Sequence, residues 1–431
     1  MSIVRPIKGL RFSDAAGSPA EVIAPPYDVI DDALQQKLYN ISPYNIIRLE
    51  YTPSRPEDDH LNNKYTRAAE TFHNWLQEGI LIREEKPAFY LYEQYFTYNQ
   101  KKYKRQGFYC GVELSPFAEG RIVPHEETLQ QPKKDRRQLL ENCQAQFSPI
   151  FGLYKDPEKY IDNQVAHYKK EQGPILNFQD HDGQLHILWA VTDKKLISVI
   201  QTFFQNQNIF IADGHHRYET ALQYYLDHKE KEHSKEKYGY ALMALVNIYD
   251  DGLQAFPTHR IIRQSDLNSR DLLVKLQKHF QWEELPGAET QAGLLALLDR
   301  SLFTATDAKL RFGLYTPEKK LFLLTLKNLK EGEKPFPWLD TVLLQELILK
   351  NIFGMDEEAI RRGSLLGYIR DEWAAKQKVD RGDASYVFFL NSSPLEKIIE
   401  YAEQGMRMPQ KSTYFFPKLV SGLIVLQLGN F

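Results

Sequence analysis

Cysteine is scarce. Cys110 and Cys143 are the only two in 431 residues. A disulfide framework needs more, and their separation fits no zinc motif. Cys110 sits in an apolar stretch, which predicts a buried, inert thiol. Long apolar runs are missing as well. No stretch has the uninterrupted length of a membrane span, so no membrane partner is expected. The first residues, MSIVRPIKGLRF, lack the apolar core of a secretory signal, and the expected compartment is the cytoplasm. An excess of one charge is also lacking. A formal net charge of −3 gives no global attraction to nucleic acid or anionic lipid. No basic recognition helix stands at helix-turn-helix spacing beside a second helix, which argues further against a nucleic-acid partner. Neither GxxxxGK[ST] nor GxGxxG occurs, which argues against the nucleotide folds built on those loops. Internal repeats and low-complexity tracts are absent.

What is present is ordinary globular composition with an aromatic bias. Hydrophobic residues make up 42% and charged residues 26%, and there are 25 tyrosines and 24 phenylalanines. Aromatics of that number suit sheets. The length exceeds what one core usually spans, so two or three domains are expected. Alternating helices and strands predict an α+β, mixed α/β architecture. Three parts are expected: an N-terminal α/β segment over 1–85, a core over 86–263 and a C-terminal α/β domain over 264–431.

The patterning predicts strands over Asn45–Tyr51, Ser148–Tyr154, Tyr240–Tyr249, Leu253–Arg263 and Tyr386–Leu390. It predicts hairpins over Ala88–Leu114, Ile175–Val191 and Leu310–Leu326. Helices are expected over Leu61–Gly79, Lys133–Gln144, Asp156–Glu171 and Thr192–Phe204. Further helices are expected over Asp271–His279, Trp338–Phe353, Asp371–Val379 and Pro394–Gln404.

One stretch concentrates chemistry between two regular elements: Asn208–Leu222, NIFIADGHHRYETAL. Ile209–Ala212 reads as a buried strand, Asp213-Gly214 as a turn and Tyr218–Leu222 as helix. A strand, a glycine turn and a helix N-terminus make an anion site, because free N–H groups and the positive end of the helix dipole face the turn. Gly214 permits close backbone approach, Arg217 offers a planar, bidentate donor, and His215 and His216 add imidazoles. Adjacent helical residues diverge by about 100°, so two neighbouring histidines rarely share one ion. The zinc spacing HExxH is absent. The bland alternative, one histidine packed and one bonded to a carbonyl, leaves Asp213, Gly214 and Arg217 unexplained.

Pro124-His125-Glu126-Glu127-Thr128 is a second candidate. A glutamate beside a histidine suits general-base work if its pKa is tuned, and like charge at Glu127 would raise it. The alternative is an acidic helix start. Weaker candidates are Tyr27 and Asp28 after Pro25-Pro26, the basic run Lys133–Arg137, His259 and Arg260 within a strand, and Lys411, Ser412 and Thr413 with Lys418.

The stretches RPIKGLRF, APPYDVI, PHEETLQQPKKDR, SPIFGLY, IADGHHRYETAL, FPTHRII and MPQKSTYFFPKL occur in that order. Together they resemble the bacterial family catalogued as a domain of unknown function, DUF-1015. Gln345 departs from the pattern, where a histidine is expected. More distantly, PHEE, a helix with paired leucines, PI-x-x-x-Y and DGHHRY are similar to the ParB/sulfiredoxin fold and, within it, to free-serine kinases.

That resemblance implies a ParB/sulfiredoxin-like core over 86–263. It implies a small-molecule kinase or phosphotransferase using ATP or ADP, or CTP, with Mg²⁺. It places phosphate or nucleotide on Gly214, His215, His216, Arg217 and His125. It places catalytic roles on Glu126, acting on the substrate hydroxyl, and on His216 and Asp213. Sulfinic-acid reductase chemistry is argued against, since no cysteine stands in the turn. The named substrate is free serine or a related metabolite. A nucleotide-binding switch without metabolite phosphorylation is the second reading. A metal-dependent hydrolase using His125, His215, His216 or His259 is the third. Metal identity and oligomeric state stay open.

Overall fold

The computed structural model describes residues 3–98, 100–126, 130–304, 309–327 and 339–430, without the side chains of 130–132 and 361. The architecture is mixed α/β. The chain forms two compact units. One comprises Met1–Pro124, Thr128–Gln254 and Pro417–Phe431; the other comprises His125–Glu127 and Ala255–Phe416.

The first unit is built on a nine-stranded sheet. Its strands are β1 (Val4–Arg5), β2 (Phe89–Tyr98), β3 (Lys101–Glu113), β4 (Ile122–Pro124), β5 (Ile150–Tyr154), β6 (Leu176–Gln179), β7 (Leu185–Val191), β8 (Ile209–Asp213) and β9 (Tyr240–Asn247). They run in the order β4-β8-β5-β9-β3-β2-β7-β6, with β1 on β3. The β8/β4 and β9/β5 pairs are parallel and the rest antiparallel. The expected hairpin over Ala88–Leu114 is β2–β3, and Ile175–Val191 supplies β6 and β7. Strand β7 pairs with β2 along its whole length, so the 156–204 region is integral to the sheet.

One sheet face is apolar. Phe108, Cys110, Val112, Ile150, Ile209, Ile211, Met243 and Leu245 alternate onto it and pack with helices Tyr160–Glu171 and Lys194–Phe203. Asp193 caps the second of these helices, accepting from the Leu196 N–H at 2.8 Å. A second core lies under α1 (Lys64–Gln77) and α2 (Gln130–Cys143), around Phe72, Trp75, Leu139 and Phe147. Asn63 and Thr66 close a capping box at the start of α1. Both cysteines are buried free thiols, as expected for Cys110, and burial pushes Cys143 up to about 12.

Two local expectations are corrected. Asn45–Tyr51 is not a strand; Ile47–Glu50 is a short helix. Ile46, Ile47 and Leu49 are all fully buried, and a buried helical turn gives the same apolar run as a strand. The Asn45 side chain decides the matter. It donates to the carbonyls of Glu21 and Ile23 at 2.7 and 2.9 Å and accepts from the Ile47 N–H at 3.0 Å. The expected strand Leu253–Arg263 is broken at Pro257-Thr258 into Gln254–Phe256 and His259–Ile262.

The second unit carries a six-stranded antiparallel sheet. Its strands are β10 (His259–Ile262), β11 (Phe280–Leu285), β12 (Arg311–Tyr315), β13 (Leu321–Leu326), β14 (Leu366–Ile369) and β15 (Tyr386–Phe389), in the order β11-β13-β12-β15-β10-β14. One face packs Phe280, Phe312, Leu324 and Phe388 with the helical stretch Asp340–Lys350. The last seven residues of that stretch, which include Gln345, are wound as π-helix. The other face packs Val387 and Phe389 with helices Gln291–Leu298 and Glu372–Asp380. Trp338, the expected start of the helix found over Asp340–Lys350, lies outside the described residues. Among the described residues no helix is long and apolar enough to cross a membrane.

Candidate functional site

In the first unit, β8 ends at Asp213, Gly214 turns the chain, and α3 runs over His215–His228. Gly214 stands at φ +90°. A Cβ there would also come within 2.9 Å of the Arg217 guanidinium, so both the backbone and the space require glycine. The turn is held by a salt-bridged carboxylate. Arg217 Nη2 donates to Asp213 Oδ2 at 2.7 Å and Nη1 donates to the Pro149 carbonyl at 2.5 Å, while Lys418 Nζ donates to Asp213 Oδ1. Burial alone would raise the Asp213 carboxyl. The charges of Lys418 and Arg217, the Lys418 hydrogen bond and the charge of His215 outweigh it and hold the group well below the usual carboxylate range. His215 is buried and His216 half-buried, both in the first helical turn.

Tyr27 stands in the same neighbourhood. Arg136 lies over its ring at 4.0 Å. Burial pushes its hydroxyl up to about 12 against the opposing charges of Arg136 and Arg217. Asp28 is exposed. Arg136 is itself buried, donating from Nη1 to the Glu50 carboxylate at 3.1 Å and to the Glu50 carbonyl at 3.0 Å, and Ser148 donates to the same carboxylate at 2.8 Å. Glu50, Arg136, Ser148 and Arg217 line a small cavity of about 50 Å³. A larger cleft of about 510 Å³ is lined by Phe117, Lys133, Lys134, Arg137, Glu219 and Thr220. Lys133 is paired with Glu219, and Arg137 with Glu141 at 2.5 Å and Asp227 at 2.7 Å.

In the second unit, His125 and Glu126 are joined to the chain near its C-terminal end. The Thr413 N–H and hydroxyl both donate to Glu126 Oε1 at 3.0 Å, and His125 Nε2 is 2.9 Å from the same hydroxyl. The Met408 N–H donates to the His125 carbonyl at 2.7 Å. Lys411 adopts φ +57°, and Ser412 closes the turn by donating to the Pro409 carbonyl at 2.5 Å. Arg260 is buried, donates to the Thr258 carbonyl at 2.6 Å and lies over the Tyr368 ring at 4.7 Å. Burial lowers its pKa, opposed by the charges of Tyr368 and Glu126. His259, the next residue on the strand, faces the other way. It is fully buried between Phe303 and Phe389, with Nε2 3.4 Å from Glu372 Oε1. Glu127 and Thr128 lie outside the described residues.

The sequence-predicted residues therefore gather as two groups. Asp213, Gly214, His215, His216, Arg217 and Tyr27 belong to one unit. His125, Glu126, Arg260, Lys411, Ser412 and Thr413 belong to the other. Lys418 had been singled out only as part of a weak anion loop; its pairing with Asp213 spans 205 positions and leaves no local signal. Among the described residues, no three His, Cys, Asp or Glu side chains gather in a way that could hold a metal ion.

The fold and the turn thus define a mixed α/β protein with a glycine turn and paired cations at a helix N-terminus. The chain belongs to the family described as protein of unknown function DUF1015, whose model matches residues 4–345. No curated protein matches it. Among solved structures, it is similar to a free serine kinase in complex with AMP, at 14% identity and a TM-score of 0.40, covering 74% of this chain and 91% of that one. It is also similar to a conserved hypothetical protein from Pyrococcus furiosus, at 15% identity and a TM-score of 0.36, covering 72% and 92%. A third is SbnI with a C-terminal truncation from Staphylococcus aureus, at 10% identity and a TM-score of 0.35, covering 74% and 87%.

Proposed function

We propose that the protein is a nucleotide-dependent phosphotransferase acting on the hydroxyl of a small molecule, with free serine or a related hydroxy metabolite as substrate. The observation that carries this is the Gly214 turn. Phosphoryl transfer asks mainly for positioning and charge compensation. Here the N-terminus of a 14-residue helix, Arg217, His215 and His216 stand together, and Asp213 and the Pro149 carbonyl hold Arg217 in one orientation. The order PHEE then DGHHRY, which resembles the ParB/sulfiredoxin fold and within it the free-serine kinases, supports the same reading and suggests ATP or ADP, or CTP, as donor. The 510 Å³ cleft lies within the usual size range of small-molecule pockets.

Asp213 does not fit as a magnesium ligand, because Lys418 and Arg217 take its two oxygens. Glu126, held by two hydrogen bonds from Thr413, is assigned to receive the proton of the substrate hydroxyl.

The test is the full chain with labelled ATP or ADP, Mg²⁺ and a panel of hydroxy amino acids and hydroxy acids. A labelled phospho-product is expected. Nucleotide binding without any product would leave the switch reading in its place.

A further inference from the structure

The second face of the large sheet holds a charge that the proposed reaction has not used. Arg105, on β3, is 1% exposed. One of its nitrogens, Nη2, donates to the Gln94 side-chain carbonyl. Nε and Nη1 are buried and, among the described residues, have no hydrogen-bond partner; nor does the buried hydroxyl of Tyr109, four residues along the same strand face. The groups whose charge acts on Arg105 are Tyr92, Tyr109 and then Asp250, the one carboxylate among them. Its carboxylate is occupied by the backbone N–H groups of Gln106 at 3.1 Å and Gly252 at 2.8 Å. A guanidinium out of water with two idle donors and no carboxylate in contact is costly to keep. Burial accordingly pushes its pKa down.

The sheet register ties this group to the Gly214 turn. Phe151 pairs with Ala244, Ala244 with Tyr109, and Tyr109 with Tyr90, making one row across β5, β9, β3 and β2, and Asp213 pairs with Phe151 just past a register shift in β8. Directly paired residues present their side chains on the same face. The Arg105 guanidinium reaches back along that face to Phe151, 5.1 Å from the ring centroid. Phe151 and Asp213 are adjacent across one strand spacing, roughly 5 Å. The idle donors thus lie one side chain away from the residue that anchors the turn.

We propose that Arg105, assisted by the Tyr109 hydroxyl, is the carboxylate-recognition point of the substrate. The substrate class is then a small hydroxy acid or hydroxy amino acid, bound with its carboxylate at Arg105 and its hydroxyl toward the turn, and not a sugar or simple alcohol. This rests on the phosphotransferase reading for its chemistry, while the binding it predicts is measurable without turnover.

The experiment is titration calorimetry on the full chain with L-serine and glycerate against serinamide and ethanolamine, which keep the hydroxyl and lack the carboxylate. It is repeated on R105M, R105K and Y109F, with AMP affinity as the control. The wild-type chain is expected to bind at least one of the two carboxylates more than about tenfold tighter than either compound that lacks the carboxylate. R105M is expected to lose that preference and keep its AMP affinity. R105K is expected to restore it in part, since a point charge lacks the fork. R105M without ligand is expected to melt at or above the wild-type temperature, because an uncompensated buried cation has been removed.

Equal binding of serine and serinamide, no binding of either carboxylate, or unchanged preference in R105M would overturn the assignment. A drop in melting temperature with preference intact would mark Arg105 as structural only. Carboxylate binding through Arg105 without phosphoryl transfer would sink the phosphotransferase reading alone. Transfer to an uncharged alcohol, indifferent to R105M, would sink this inference alone.

Discussion

Lys418 donates to Asp213 across 205 positions of sequence, so the charge at the Gly214 turn is balanced from the far end of the chain. Arg217 takes the other oxygen at 2.7 Å. Asp213→Asn leaves two cations facing a neutral amide. A loss of roughly 1–3 kcal/mol in urea unfolding is expected, less than for a fully buried pair because the groups are partly exposed. The pH dependence has a definite sign. The folded carboxyl lies below its ordinary 3.8, so its contribution is fully present above that value and is lost as acid takes the pH down through the folded pKa. Asp213→Asn should remove that acid-labile component; an unchanged acid-unfolding profile would show that the cations do not stabilise Asp213.

Gly214→Ala meets two obstacles, a φ of +90° and a Cβ 2.9 Å from the Arg217 guanidinium. A stability cost of about 1–3 kcal/mol is expected. AMP affinity should fall with it, because Arg217 must leave its place. Equal AMP affinity in Gly214→Ala and wild type, by calorimetry, would remove the turn from the binding site.

Glu126→Gln keeps an oxygen for the Thr413 N–H and hydroxyl, which lie at 3.0 Å, and removes the basic carboxylate. Turnover of the hydroxy substrate should drop by roughly 10²–10⁴-fold with nucleotide affinity retained. Full turnover in this variant rules out the assigned role.

Asp340 supplies a pH test in the second unit. It is buried, and burial pushes its carboxyl up to about 7 against the backbone hydrogen bond from Asn391 and the charge of Lys397. Its folded pKa lies above its unfolded 3.8, so between those values the folded state binds the extra proton. Stability from this group is therefore present at low pH and is lost as pH rises toward 7. Asp340→Asn should gain roughly 1–3 kcal/mol relative to wild type above neutrality, and little below pH 4, in denaturant titrations at several pH values.

Local pattern carried much of the fold. The turn pair Asp213-Gly214 between an apolar run and a helix, the β2–β3 hairpin, and the helix capped at Asp193 are all short-range features, set by propensity, hydrophobic period and turn chemistry within a few residues. Asn45–Tyr51 misled because burial on all sides removes the period that separates helix from strand. The candidate anion site was legible for the same local reason: its glycine, histidines and arginine are consecutive.

What the chain alone determined, then, is which residues carry chemistry and the local form each stretch takes. Tertiary structure decided the partners. Lys418 on Asp213, Thr413 on Glu126, Glu50 on Arg136, and the strand pairings joining Asp213 to Tyr109 all bring together residues distant in sequence. It also decided that His259 and Arg260, adjacent in sequence, face opposite sides of one strand, and that Arg105 is a buried cation with idle donors. The physical reason is range. Propensity and periodicity act over a few residues, while charge compensation and burial depend on what sheet register brings across from elsewhere in the chain.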